Sequence, residues 1–542
     1  VRPDELRAGY DVVVVGAGMG GIYAVHRFRS QGLSVLCLEA GADVGGVWFH
    51  NSYPGARVDI ESDNYCYVFD PELYREWQWS ERYAAQPEIL AYLRHAAERY
   101  DVRRSTLLDT RVTGAQWHPE SDTYTVTTDT GLSVQARYLV MTTGQLSAAR
   151  RPDLAGLADF RGDWTQTSTW RPVPLAGRRV AVVGTGSSGV QAVTAIADEA
   201  AELYVLQRTA NYSVPARNGP ADPVRRAEHA SDVEGLWRRL RETPGGIVLP
   251  PGGGRAGDYS VEQQQEMLEE RWAHGGQAIL TTFSDIGTSL ATNTLVADFV
   301  RARIAERVAD PELAERLMPR SYPIGARRLC IDTGYYETFN RPHVLLVDIA
   351  ADPIDRVTET GIRLRSGRHV EVDTIVLAIG FDAFLGSLDA AGITNERGEH
   401  PSDRWARGPR TYLGLMTTGF PNLFLPTGPG SPGILVNMNA SNVHHLDLVG
   451  DIIAEAAARG STRVEPTRDA EDAWTSHAFD VAEPLLRRQV DNIHVHVGDD
   501  GSRVFIPYAG GFKNYVDRVD QIVADGFAGL AFTSAAEQRD AS

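Results

Sequence analysis

The chain has 542 residues, more than one hydrophobic core usually supports, and 43% hydrophobic content, so two or three globular domains are expected. Its 71 acidic against 53 basic residues give a formal charge of −18, which repels phosphate backbones and anionic membranes and argues against nucleic acid as a partner. Cys37, Cys66 and Cys330 are too few and scattered for a disulfide framework or thiolate metal site. No leader pattern opens the sequence and no apolar run approaches membrane-spanning length, so a soluble cytoplasmic protein without membrane contact is expected.

Val12-Val13-Val14-Val15, with no polar alternation, predicts a strand buried on both faces, and the apolar periodicity of Ile22 to Arg27 predicts a helix. Between them stands Gly16-Ala17-Gly18-Met19-Gly20-Gly21. In a strand–turn–helix unit such glycines permit the tight turn (Gly16), approach of a pyrophosphate (Gly18) and close helix–strand packing (Gly21). A second buried strand, Ser34 to Leu38, ends at Glu39, the acidic position about 20 residues on that accepts from ribose hydroxyls. These features predict an α/β dinucleotide-binding domain suited to FAD or NAD.

The glycine- and aromatic-rich stretch 41–61 reads as a functional loop, 84–100 as a helix, and 106–144 as short strands closing on Thr142-Thr143-Gly144. The pattern then repeats. Val180 to Val183 leads into Gly184-Thr185-Gly186-Ser187-Ser188-Gly189, and a strand ends at Gln207, followed by Arg208 and Thr209. A carboxylate at position 207 would repel a 2′-phosphate, whereas Arg208 can form charge-assisted hydrogen bonds with one, so the second site suits NADPH. Residues 216–322 read as a charged helical insertion, and Thr374 to Leu377 as another buried strand running into small residues. A helix follows from about Asn437 to Arg459, and a final helix near Asn514 to Asp525. His444-His445 does not put both rings on one helix face, and no metal site is expected.

Phe160-Arg161-Gly162-Asp163-Trp164-Thr165-Gln166-Thr167-Ser168-Thr169-Trp170 resembles the signature of the type I Baeyer–Villiger monooxygenases, Phe-x-Gly-x-x-x-His-x-x-x-Trp, with Gln166 at the histidine position. Gly45-Gly46-Val47-Trp48, Tyr53-Pro54-Gly55-Ala56-Arg57, Asp59-Ile60-Glu61-Ser62, Gln86-Pro87-Glu88, Arg327-Arg328-Leu329 and Trp405-Ala406-x-Gly408-Pro409 are also similar to family sequence, closest to the phenylacetone and steroid branch. The resemblance implies two Rossmann-like domains that bind FAD and NADPH, and conversion of a ketone to an ester or lactone with dioxygen through a flavin peroxide. It implies Arg328 as the cation beside the flavin and Asp59 as its partner. Gly46, Val47, Trp48, Asp59 and Tyr65 fall at FAD-side positions. Ser187, Ser188, Gln191, Arg208, Thr209 and Arg327 fall on the NADP side, which Arg328 also contacts. The expected division is 1–144 and 374–542 for the FAD domain with its substrate loops, 145–215 and 323–373 for the NADP domain, and 216–322 for the insertion. A monomer or weak homo-oligomer is expected.

Departures from the family pattern fall in the pocket loops. Gly433-Ile434-Leu435 replaces the usual small-residue pattern, and Asn492 stands where a tryptophan is expected, with Arg487 and Arg488 nearby. These six positions are expected to meet substrate, a bulky or polar ketone with a carboxylate near Arg487 or Arg488; the alternative is that both arginines solvate a mobile loop. Gln166 keeps donor and acceptor capacity in the interdomain linker. Other readings are a flavin monooxygenase that oxidises nitrogen or sulfur, and a non-catalytic nucleotide-binding redox sensor. A disulfide reductase would need a paired redox cysteine, which the sequence lacks.

Overall fold

In a computed structural model describing residues 6–498 and 501–534, the opening motif forms the strand Gly9–Val15 and the helix Met19–Ser30. Residues 1–5, where a leader pattern would begin, lie outside the described residues. Because side chains alternate along a strand, Val12 and Val14 enter one apolar cluster and Val13 and Val15 another on the opposite face. That two-sided burial explains the absence of polar alternation.

This strand lies parallel to Val35–Leu38 on one side and to Ser133–Met141 on the other, with Val12 opposite both Val35 and Tyr138. The sheet extends through Thr106–Leu107 beyond the former and through antiparallel Thr123–Thr128 and Val112–His118 beyond the latter. Two short strands from the far end of the chain, Ile393–Thr394 and Leu423–Phe424, join it. The helix Met438–Ala458 crosses Met19–Ser30: the Tyr23 hydroxyl donates to Asp447 at 2.6 Å, and Arg27 pairs with Asp447 and Asp451 at 3.1 and 2.9 Å.

A second sheet holds five parallel strands in the order Val344–Asp348, Glu202–Gln207, Arg179–Val183, Thr374–Leu377, Asp163–Gln166. Thr374–Leu377 therefore sits inside this sheet, and the chain returns to the first sheet after Leu377, beyond the expected break at 374. All four residues of this strand are buried, and it pairs with Arg179–Val183 on one edge and Asp163–Gln166 on the other. The two segments that bridge the sheets run side by side: Ala149 pairs with Phe381, and the Asp382 amide donates to the Ala148 carbonyl at 2.8 Å. Gln166 is buried and donates to the Arg150 carbonyl at 2.9 Å, bracing this linker. Gln166→Ala strands that carbonyl and is expected to lower unfolding stability by about 1–2 kcal/mol, read from the denaturant midpoint.

Ser213–Pro215 and Cys330–Asp332 pair in parallel. Between them lie the helices Pro223–Ser231, Val233–Glu242, Val261–His274, Leu290–Arg307 and Pro311–Leu317. Asp222, Asp232, Ser260, Ser289 and Asp310 cap all five of these through their side chains. Buried Glu61 ties the helices to the first unit by pairing with Arg225 and Arg82. Burial alone would raise its pKa, but the two guanidinium groups hold it below the usual carboxylate range. No helix among the described residues is long and apolar enough to cross a membrane.

Candidate active site

Each sheet opens a crevice where its first helix begins, and the two are built alike. Gly16 (φ +100°) and Gly184 (φ +111°) turn the chain through left-handed geometry closed to most side chains. A β-carbon on Gly21 would lie 1.9 Å from the Gly16 carbonyl oxygen, and one on Gly189 2.1 Å from that of Gly184, so both glycines seat their helix against its strand. The helices Met19–Ser30 and Ser187–Ile196 start at Gly18 and Gly186 with no side-chain cap, leaving amide donors for an anion. Gly186 has no atom within 4 Å of a β-carbon position, and Gly18 faces only the backbone of Gly46. The open turn at Gly186 and the glycine-walled one at Gly18 fit the pyrophosphate of a dinucleotide. Gly20 lies in the first turn of its helix, and a β-carbon there would lie 3.0 Å from Asn442 Oδ1 of the crossing helix.

In the first crevice, buried Glu39 accepts from the Ala17 and Gly41 amides at 2.5 and 2.7 Å, which holds its carboxylate at the strand end. Val47 opens the short helix Val47–His50 after Gly46, and Trp48 Nε1 donates to the Tyr65 hydroxyl at 3.0 Å. Burial pushes the Tyr65 hydroxyl up to about 12. In the second crevice, Ser187 Oγ lies 3.7 Å from Cys330 Sγ. Arg208 is exposed, the Thr209 carbonyl accepts from Thr185 Oγ1 at 2.9 Å, and Arg327 stacks 4.7 Å over the Tyr322 ring with Nε buried and unpartnered. Gln207 turns away to donate to the Arg316 carbonyl at 2.8 Å.

The crevices are tied together. The Tyr53 hydroxyl donates to Gln191 Oε1 at 2.8 Å, and Gln191 Nε2 donates to the Arg57 carbonyl at 3.1 Å. Gln191 thus clamps the loop of the first crevice to the helix of the second, with Ser188 also beside Tyr53. Two residues beyond Arg57, Asp59 receives both Nε and Nη2 of Arg328, at 2.7 and 2.8 Å. Arg328 Nη1 donates to the Ile434 carbonyl at 2.8 Å, so three segments fix one guanidinium plane. Burial opposes its charge, but the Asp59 carboxylate outweighs burial and keeps its pKa above the usual arginine range.

The pocket loops differ in part from expectation. Ile434 joins an apolar cluster with Phe384 and Ile506, whereas Leu435 packs against the separate cluster of Val436 and Phe512. Gly433 is required by Gln145, whose Nε2 would lie 2.5 Å from a β-carbon there and whose Oε1 accepts from the Ile434 amide at 3.0 Å. Gln145 was not singled out from the sequence; its only signal is its place directly after the small residues that close a strand. Arg487 Nη2 donates to the Gly325 carbonyl at 2.7 Å, three residues from Arg328. Arg488, by contrast, pairs with Glu483 and lies 5.2 Å over the Phe479 ring. Asn492 is used by its own loop, donating to the Arg487 and Val490 carbonyls and accepting from the His494 amide. His444 and His445 both approach Tyr515, at 5.9 and 5.2 Å, inside the core.

Comparison with known proteins decides the family. A Baeyer-Villiger monooxygenase of Pseudooceanicola batsensis is 37% identical over 98% of each chain. The chain belongs to the type I Baeyer–Villiger monooxygenases. An oxidized steroid monooxygenase bound to NADP matches this monooxygenase with a TM-score of 0.93 and 46% identity over 97% of this chain and 100% of that one. The OTEMO complex with FAD and NADP matches with a TM-score of 0.93 and 35% identity, covering 97% and 99% of the two chains. The sequence pattern of the pyridine nucleotide-disulphide oxidoreductase family also matches residues 13–220, the span of both glycine turns. In this chain Cys37, Cys66 and Cys330 are all buried, unpaired thiols, and burial pushes those of Cys66 and Cys330 up to about 12.

Proposed function

We propose that this monooxygenase converts a ketone to an ester or lactone with NADPH and dioxygen, with Arg328 as the fixed cation at the reacting centre and Asp59 as the residue that positions it. The observation that carries the reading is the doubly bonded Arg328–Asp59 pair between the two nucleotide crevices. When bound, FAD supplies the redox chemistry that activates dioxygen, and NADPH supplies the two electrons.

Addition of an oxygen nucleophile to a carbonyl builds negative charge on oxygen, and donors fixed before the reaction stabilise that charge without reorganising. Asp59 and the Ile434 carbonyl fix Arg328 in this way. Oxidation of an amine or sulfide nitrogen or sulfur atom lone pair requires no oxyanion at carbon and gains less from the same cation. Turnover of cyclohexanone under ¹⁸O₂ tests the reading: one labelled oxygen is expected in the lactone ring. NADPH consumption with hydrogen peroxide and no lactone, from this ketone and from a panel of larger ones, would overturn it.

Arg208 and Thr209 are assigned to the 2′-phosphate of NADPH, with Gln207 removing the carboxylate that would repel it. Loss of a charged hydrogen bond of about 1.5–3 kcal/mol corresponds to roughly 10- to 100-fold. Arg208→Ala is therefore expected to raise the KM for NADPH by about that factor and to leave the KM for NADH within about threefold, measured by steady-state NAD(P)H oxidation. Equal changes for both nucleotides would remove Arg208 from the phosphate.

A further inference from the structure

Among the described residues Arg487 is a cation without a counter-ion: no carboxylate pairs with it, and its one hydrogen bond runs to the neutral Gly325 carbonyl. Nearby arginines are treated differently: Arg328 has Asp59, Arg488 has Glu483 and Arg503 has Asp491. Burial and the neighbouring Arg328 guanidinium both disfavour its charge and bring its pKa down to about 10. An anion arriving at this point would relieve both penalties.

His494 supplies a second, independent observation. His494 is only 3% exposed, yet among the described residues neither ring nitrogen has a partner. Buried polar groups are nearly always hydrogen-bonded, so two idle nitrogens on one ring need an explanation. Burial, and then Arg487 and Arg328, hold its pKa down at about 3, so the ring is neutral and one nitrogen carries a proton to donate. The ring lies 6.4 Å from that of Phe384, which clusters with Ile434 and Ile506. Ile434 also receives Arg328 through its carbonyl. One apolar cluster therefore joins Ile434, which receives Arg328, to Phe384, beside which His494 lies, and Arg487 reaches the carbonyl three residues from Arg328.

We propose that Arg487 and His494 form a subsite for a carboxylate carried on the carbon skeleton of the ketone substrate, away from the reacting carbonyl. The proposal rests on the ketone-oxidising reading above and narrows it to keto acids. The carbonyl lies at Arg328, the skeleton crosses Phe384, Ile434 and Ile506, Arg487 neutralises the carboxylate, and His494 donates its N–H to it. The sequence shows Arg487 and Arg488 as equals; the ion pair of Arg488 with Glu483 separates them.

The test compares 4-oxocyclohexanecarboxylate with its methyl ester, which differ in charge and little in shape. Lactone formation gives kcat/KM, and perturbation of the flavin absorbance in the NADP⁺-bound holoenzyme gives Kd without turnover. A preference for the acid of at least about tenfold is expected in both, as befits a charge-assisted contact. Arg487→Gln, which keeps an N–H for the Gly325 carbonyl, is expected to remove that preference, Arg487→Lys to restore most of it, and His494→Phe to narrow it severalfold. Equal affinity for acid and ester in the parent enzyme overturns the proposal. Equal losses for both probes in Arg487→Gln, or a raised KM for NADPH that accounts for the loss, also overturn it and assign Arg487 to the loop or to a nucleotide phosphate. If neither probe yields lactone while both bind, the ketone-oxidising reading fails separately and the Kd comparison still decides the subsite.

Discussion

Arg328→Ala is expected to lower ester formation by about 100- to 1000-fold, the loss that follows removal of one preorganised donor to a developing oxyanion. The magnitude depends on how rigidly the donor is held. Arg328 is held by three hydrogen bonds of 2.7–2.8 Å to Asp59 and the Ile434 carbonyl, so the guanidinium reaches the reaction already oriented. Arg328→Lys retains a charge but not the planar fork that engages both oxygens of Asp59, and should fall between parent and alanine variant. Product formation would be measured beside anaerobic bleaching of the flavin by NADPH in the same variants. Loss of ester with bleaching largely retained places the effect after electron delivery. Equal loss of both would make Arg328 a nucleotide-positioning residue, and ester formation within about threefold of the parent would remove it from the reaction.

The nucleotide folds were readable because their signals are local. Four consecutive valines need burial on both faces, and a glycine pattern follows within a few positions, so strand, turn and helix follow from neighbours in the chain. The reacting centre is different in kind. Asp59 and Arg328 are 269 positions apart, and composition and periodicity carry no trace of their pairing; resemblance alone brought them together in the sequence analysis. Adjacent residues in short turns were harder still. Arg487 and Arg488 lie in the three-residue-per-turn helix Leu486–Gln489, where successive side chains diverge, so one reaches the Gly325 carbonyl and the other Glu483. Ile434 and Leu435 separate in the same way. Gln145 and His494 were missed because a single Gln after a strand, or a single His in a loop, has no periodic or motif signal until the chain closes around it.

The second large effect separates two glycines three positions apart in the NADP-side turn. Gly189 faces backbone: its β-carbon would lie 2.1 Å from the Gly184 carbonyl oxygen, which cannot yield without lifting the helix Ser187–Ile196 from its strand. Gly189→Ala is expected to destabilise the fold by about 1–3 kcal/mol through overpacking and to lose NADPH binding with it. Gly186 has φ −75°, which alanine adopts freely, and nothing within 4 Å of its β-carbon position. Its alanine variant should therefore unfold at the parent's denaturant midpoint, because no contact in the protein resists the methyl group. The space that the methyl fills is where the backbone would meet the pyrophosphate, so its KM for NADPH is expected to rise at least about tenfold. Both readouts are needed. A stable Gly186→Ala enzyme with parental NADPH kinetics would show that this turn does not cradle the nucleotide, whereas a stable one with impaired NADPH use would show that the second turn is shaped for a ligand rather than for packing.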